Sequence, residues 1–363
     1  MAAGIDPELH SLLTAMTQRD ASDLHLVPGN KAMVRVHGQL MAVGGAGEKA
    51  LTSERIEAMV RSIASGTMGA RLERETDLDF AVQVADGARF HRFRVNVFSS
   101  RGQRGACFRA IPDRVPLIEE LGFPADLAER IVGLAGGLVL VSGITGSGKS
   151  TTIAALLAML NARGNCRIIT IEEPIEYVYP PVEGSIVTQR EVGADVASFS
   201  EGLRYGLRQD PDVLLVGEIR DRETAQLAIS AAETGHLIFG TLHSADAKGA
   251  ITRLVDIFPS ELHDDVLTQL SMSLRYVVSQ HLLPSAAGGR RVLGLEVLFA
   301  NFAVRSSIRQ GKIESLESAI QSGRKEGMFS LDMDLQRLLE KKLISLETAR
   351  GFAKDPGEFA GRM

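Results

Sequence analysis

The chain has 363 residues, 45% of them hydrophobic and 23% charged, with 40 Lys and Arg against 45 Asp and Glu for a formal net charge of -5. That is enough apolar sequence for two cored domains and argues against disorder, while the acidic excess gives no bulk electrostatic support to nucleic-acid binding. Two cysteines, Cys107 and Cys166, exclude a disulfide framework and a four-cysteine zinc site and suit a reducing compartment.

The first residues, MAAGIDPELHSLLTAM, place acids and polar side chains where a signal peptide would be apolar. The apolar run IVGLAGGLVLV (131–141) stops short of the about 20 residues that a membrane-spanning helix needs. The expectation is therefore a cytoplasmic protein without direct membrane insertion. From about Ser22 to Arg109, DLHLVPGNKAMVRVHGQLMAV, LDFAVQV and RFRVNVF alternate apolar and polar residues between Gly or Asn breaks, as strands do. Between them, TSERIEAMVRSIASG has helical apolar spacing after a capping-box start at Thr52, with Arg55 standing where the box wants Glu. These patterns predict an α+β domain over 1–109.

RAIPDRVPLIEELGFP sets Pro112, Pro116 and Pro124 around a few apolar residues, predicting a semi-rigid linker over 110–125. Beyond it, GLVLVSG, RIITIEE, DVLLVGE and HLIFGTLH are buried-looking strands alternating with helical stretches, the mark of a mostly parallel sheet covered on both faces. That α/β domain is expected over 126–284. After Pro284 the alternation is lost; residues 285–363 are expected to be helical, with SLDMDLQRLLEKKLISLETARGFAK forming a terminal pair.

GITGSGKST (143–151) carries the chemistry. Gly143, Gly148, Lys149 and Ser150 fit Gly-x-x-x-x-Gly-Lys-Ser/Thr between a strand and the helix STTIAALLAMLNA, the context a phosphate loop requires. Glycines let backbone N–H groups point into the concavity, and the helix start adds positive potential. Lys149 reaches the β- and γ-phosphates of a nucleotide, and the Ser150 hydroxyl suits Mg²⁺. Thr145, Gly146, Ser147 and Thr151 complete the expected nucleotide-binding set. Downstream, the strand in PDVLLVGEIRD ends at Glu218, where parallel strands present their ends to one crevice and a carboxylate can orient water around Mg²⁺.

IITIEEPIEY, LRYGLRQDPDVLLVGEIRD, TGHLIFGTLHS and RFRVNVF together resemble the secretion ATPase superfamily of type II secretion and type IV pili, over nearly the whole chain. ASDLHL, AVRSSIRQGK and EGMFSLDMDLQRLLEKKLIS narrow the resemblance to its pilus retraction branch, the PilT family, and the missing four-cysteine zinc element argues against the extension and secretion branches. The resemblance implies a RecA-like P-loop ATPase domain, preceded by a smaller PAS-like α+β domain and followed by a C-terminal helical extension. It implies Glu172 as the general base, Glu218 as the Walker B carboxylate, and His236 and His243 as contacts to the γ-phosphate. Arg94 and Arg109 match positions where the superfamily brings arginines over the phosphates. Arg204 and Arg208, one helical turn apart, share a face and supply further charge.

The expected cofactors are ATP and Mg²⁺. The expected assembly is a homohexamer hinged at 110–125, peripheral to the inner membrane through a pilus platform protein, driving retraction and twitching motility. The chain departs from the family pattern in two places. The Asp box reads Glu172-Glu173-Pro174 in place of Glu-Asp-Pro, moving the second carboxylate about 1.5 Å outward. The motif Ala-Ile-Arg-Asn-Leu-Ile-Arg-Glu is here AVRSSIRQ (303–310), which keeps Arg305 and Arg309 and loses the final acid. A related secretion ATPase, a nucleic-acid translocase and a nucleotide-dependent scaffold without turnover are the alternatives; the translocase lacks any Lys/Arg run or aromatic interleaving.

Overall fold

The computed structural model describes residues 4–36, 38–43, 49–64, 66–87, 89–112 and 114–359. Its backbone divides into two compact units, Met1–Arg114 with Pro174–Val178, and Val115–Glu173 with Tyr179–Met363. In the first unit six strands, β1 (Asp23–Leu26), β2 (Met33–Val36), β3 (Gln39–Ala42), β4 (Leu78–Asp86), β5 (Arg89–Ser100) and β6 (Gln103–Ile111), form an antiparallel sheet in the order β3-β2-β1-β6-β5-β4. The period of two decides what is buried. Phe93, Val95 and Val97 of β5 enter a core with Leu24, Leu26 and Phe108, and the helices α1 (Pro7–Gln18) and α2 (Ser53–Ile63) close it with Leu9, Leu13, Met16, Ile56 and Met59. A third helix, α3 (Thr67–Arg74), leads into β4.

The expected helix start at Thr52 is present: its hydroxyl accepts the Arg55 N–H at 3.2 Å. Arg55 has another use. Its guanidinium pairs with Asp6, the N-cap of α1, and with Glu8, each at 2.7 Å, so the residue that spoils the capping box ties the starts of two helices together.

The second unit contains a seven-stranded sheet, β7 (Gly137–Ser142), β8 (Cys166–Glu172), β9 (Ser185–Glu191), β10 (Val213–Val216), β11 (Leu237–Leu242), β12 (Leu274–Pro284) and β13 (Arg291–Phe299), in the order β13-β12-β7-β11-β10-β8-β9. Every pairing is parallel except β12 with β13. β7, β10 and β11 are buried along their whole length, as unbroken apolar runs dictate for strands covered on both faces. The helices are α4 (Ala125–Val132), α5 (Lys149–Arg163), α6 (Phe199–Gly206), α7 (Arg222–Glu233), α8 (Ala247–Asp256), α9 (His263–Ser273), α10 (Phe302–Arg309), α11 (Leu316–Ser322), α12 (Leu331–Glu340) and α13 (Leu346–Phe352). This is the α/β, RecA-like class expected for the region.

Two expectations need adjustment. The stretch 110–125 holds the end of β6, a turn closed by Glu120 N–H on the Leu117 carbonyl at 3.1 Å, and the start of α4; Asp113 lies outside the described residues. The region after Pro284 is not wholly helical, since β13 precedes the helices. Gly294 and Glu296 interrupt its apolar pattern and disguise it. Glu296 is nevertheless buried, because its carboxylate accepts the Ala247 N–H at 2.8 Å and the Lys354 ammonium at 3.0 Å. The terminal pair α12 and α13 forms as expected, around Leu283, Leu331, Leu335, Leu338, Ile344, Ala349 and Phe359. AVRSSIRQ lies on α10, where Arg305 Nε donates to the Ala300 carbonyl at 2.7 Å. Among the described residues no helix is long and apolar enough to cross a membrane.

Leu335 is fully buried in this C-terminal cluster, so Leu335→Ala should cost about 2–5 kcal/mol locally. Native-state hydrogen exchange should then speed up across α12 and α13 and leave β4–β6 unchanged; uniform acceleration would show that the cluster is not a separate cooperative unit.

Candidate active site

β7 ends at Ser142 and α5 begins at Lys149, so the chain turns from a buried strand into a helix within the loop 143–148. Such a turn needs left-handed backbone. Gly143, Gly146 and Gly148 have φ of 147°, 79° and 88°, and Gly148 is the N-cap of α5. A Cβ on Gly143 would lie 2.4 Å from Ser147 Oγ and 2.5 Å from the Gln280 carbonyl. Lys149 Nζ folds back to donate to the carbonyls of Gly143 at 2.8 Å and Ile144 at 3.1 Å, which places its charge across the mouth of the loop. The N–H groups of Gly146, Gly148 and Ser150 have no protein partner among the described residues. Unpaired N–H donors at a helix start, a lysine beside them and a loop turned by glycines at positive φ are what a polyphosphate requires. Ser150 is exposed on the first turn of α5 and Thr151 is half-buried beside it, while Thr145 is exposed in the loop itself.

The parallel sheet delivers acidic and imidazole groups to the same edge. β11, β10 and β8 follow β7 in that order, so His243, Glu218 and Glu172 stand one, two and three strands from the loop, at about 4.8 Å per strand. Glu172 ends β8, and its Oε1 accepts the Thr170 hydroxyl at 2.6 Å and Gln189 Nε2 at 3.1 Å. Glu218 accepts Arg220 Nη2 on Oε2 at 2.7 Å and faces His243 Nε2 from Oε1 at 3.4 Å. Burial pushes the Glu218 carboxyl up, but the Arg220 hydrogen bond and charge, helped by His243, outweigh it and hold the group below the usual glutamate range. Arg220 Nη1 also reaches Glu173 Oε2 at 3.1 Å. The longer arm of Glu173, the departure from the Asp box pattern, thus finds a partner in an arginine that also grips Glu218.

Arg220 was not among the expected site residues, although a base two positions after the strand-ending acid in GEIRD was visible. Arg291 was missed as well; its Nη1 donates to the Gly146 carbonyl of the loop at 3.4 Å, and it was hidden in the strand not recognised in the sequence.

Other expected residues lie elsewhere. His236 precedes β11 and His243 follows it, so the extended strand between them separates the two by about 23 Å, at 3.3 Å per residue. His236 Nδ1 sits 3.1 Å from the Ala231 carbonyl and 3.2 Å from Thr234 Oγ1, and its own carbonyl accepts the Gly137 N–H at the start of β7. Within one protomer it caps a helix-to-strand turn at the edge of the sheet opposite the phosphate loop and does not join the γ-phosphate group. Arg204 and Arg208 share no helical face because α6 stops at Gly206; Arg204 pairs with Glu223, and Arg208 lies in the turn beyond the helix.

Arg94 and Arg109 belong to the first unit, directly opposite one another on β5 and β6. Arg94 faces Asp79 at 3.5 Å, and Arg109 Nε donates to Asp23 at 2.9 Å. Burial raises the Asp23 carboxyl, and the Arg109 and Ser22 hydrogen bonds more than reverse it, keeping Asp23 ionised below its ordinary range.

Comparison with known proteins gives these features a context. Residues 2–326 match the family described as type II/IV secretion system protein. The chain is 44% identical to the type IV pilus retraction ATPase PilT of Pseudomonas aeruginosa over 97% of this chain and all of that one. It is 41% identical to a twitching motility protein of Neisseria gonorrhoeae, over 89% of this chain and 84% of the relative. A crystal structure of the pilus retraction motor PilT with bound ADP superposes with a TM-score of 0.87 at 40% identity, covering 98% of this chain and 99% of that one. The chain belongs to the type II/IV secretion ATPase family, in its pilus retraction branch, the PilT family.

Proposed function

We propose that this chain is a motor ATPase that hydrolyses ATP to drive type IV pilus retraction. The observation that carries the reading is the edge of the parallel sheet. There Gly146, Gly148 and Ser150 offer N–H donors without a protein partner among the described residues, and Lys149 its ammonium, to a polyphosphate, while Glu172, Glu218 and His243 end neighbouring strands. Water attacks the γ-phosphorus, the bond to the β,γ-bridging oxygen breaks, and the proton of the water passes to a carboxylate, yielding ADP and phosphate. The chain's part is positioning and charge stabilisation. Glu172, with its Oε1 held by Thr170 and Gln189, is aimed as the base, and Glu218 would help to hold a bound metal ion with its water. Mg²⁺, bound through the Ser150 hydroxyl, would offset the charge of the β- and γ-phosphates. His243 links Glu218 to the γ-phosphate side.

The functional assembly in this reading is a homohexameric ring on the cytoplasmic face of the inner membrane, working on a pilus platform protein. Its arginines reach the site from a neighbouring chain. Support comes from the PilT relatives and from Arg94 and Arg109, whose present partners are acids of their own sheet.

Lys149→Ala removes the one charge directed at the phosphates from within the loop, so nucleotide affinity should fall about 10- to 100-fold and turnover should vanish. Fluorescent-nucleotide titration checks this, and unchanged affinity would refute the phosphate-loop assignment. Glu172→Gln preserves size and hydrogen bonding without the carboxylate; ATP should still bind while steady-state hydrolysis drops at least about 100-fold. If turnover survives there and is lost in Glu218→Gln, the base is Glu218. Arg94→Ala and Lys149→Ala chains, each nearly inactive alone, should recover part of their ATPase when mixed under conditions where differently tagged chains co-purify. Exchange without recovery would rule out an arginine acting between chains.

A further inference from the structure

β12 lies beside β7 with Ser279 opposite Ser142, the last residue before the phosphate loop, so Gln280 stands level with Gly143 where the loop begins. Its side chain is wholly buried, and its Nε2 donates to the Ser147 carbonyl at 2.7 Å. The approach is close on both flanks: a Cβ on Gly143 would come within 2.5 Å of the Gln280 carbonyl, and one on Gly148 within 3.2 Å of Gln280 Nε2. Among the described residues the carboxamide oxygen has no hydrogen-bond partner. A buried primary amide with one end unpaired is costly in a site that an apolar side chain of the same size would fill, so its donor end calls for an account.

We infer that Gln280 is a positioning residue for nucleotide binding, which pins the Ser147–Gly148 peptide so that the Gly148 N–H is fixed in place to meet a phosphate oxygen. The inference rests on the nucleotide-binding reading above. In a trans peptide the C=O and the following N–H point in opposite directions. Anchoring the Ser147 oxygen against β12 therefore turns the Gly148 N–H away from that strand, and this N–H is one of the donors left unpaired by the protein. A loop with three glycines at positive φ has many alternative peptide orientations, and one hydrogen bond from a rigid strand removes the ones that would present a carbonyl to the anion. The neighbours of Gln280 secure a second loop. Ser279 Oγ donates to the Ala245 carbonyl at 3.0 Å, and His281 Nε2 lies 3.1 Å from the same oxygen, just beyond His243. Three consecutive residues of β12 thus hold the two loops that face the nucleotide.

The test compares two full-length variants with wild type by titration of a fluorescent ADP analogue from pH 6 to pH 8.5. Gln280→Met preserves length without a donor, and its affinity should be at least about ten-fold weaker at every pH while thermal melting stays close to wild type. Gln280→Glu lacks a donor when ionised but regains an O–H for the Ser147 carbonyl when protonated, and burial raises that carboxyl towards neutrality. Its affinity should be weak at pH 8.5 and recover reversibly towards wild type at pH 6. That recovery occurs within one folded protein, so it separates positioning from a packing defect even if Gln280→Met fails to fold. Wild-type affinity in Gln280→Glu at pH 8.5, or equal weakness at both pH values, would overturn the inference. Absence of ADP binding in wild type would instead overturn the nucleotide reading itself.

Discussion

The phosphate loop depends on one constraint: a strand buried along its whole length has to become a helix within six residues, 143–148. Glycine accommodates the backbone this demands at Gly143, Gly146 and Gly148, and among the described residues the same geometry leaves the N–H groups of Gly146, Gly148 and Ser150 without protein partners. Lys149 donates its ammonium to the Gly143 and Ile144 carbonyls, so the group that a phosphate would recruit lies against the loop. Close packing keeps this arrangement in place. Gly143 and Gly148 abut Gln280: a Cβ on Gly143 would collide with its carbonyl on the strand, and one on Gly148 would press on its side-chain amide.

The second organising feature is electrostatic. Parallel pairing brings the ends of β8, β10 and β11 to the edge where the loop sits, which concentrates Glu172, Glu173 and Glu218 in one region. Arg220 forks between Glu218 and Glu173, with His243 on the remaining Glu218 oxygen, so Glu218 stays ionised despite its burial. Glu172 Oε1 accepts the Thr170 hydroxyl and Gln189 Nε2.

The first unit displays the same economy of charge. Asp23 is nearly fully buried and lies between Arg35 and Arg109 in the register of the sheet, with Arg94 next in line on β5. One buried carboxylate therefore sits within a cross-strand row of three arginines, Arg35 on one side and Arg109 and Arg94 on the other. Arg109 can remain extended on its strand because Asp23 offsets part of its charge, and Arg94, opposite it, leans towards Asp79.

What the sequence determined by itself is whatever is local: the phosphate loop, because strand, glycines, lysine and helix are contiguous; the α2 cap at Thr52; the apolar runs of β7, β8, β10 and β11; and, through resemblance, the family. Tertiary structure decided whatever depends on which end of an element faces the site. His236 and His243 are seven residues apart and look equivalent in TGHLIFGTLH, yet an extended strand sends them to opposite edges of the sheet. Arg204 and Arg208 fit one helical face on paper, but α6 ends between them. β13 stayed hidden because Glu296 breaks its apolar run, and only the remote partners Ala247 and Lys354 make that carboxylate a buried residue. Arg220, Gln280 and Arg291 likewise gain meaning from carbonyls and carboxylates tens of residues away in the chain, contacts that strand order creates and no local pattern encodes.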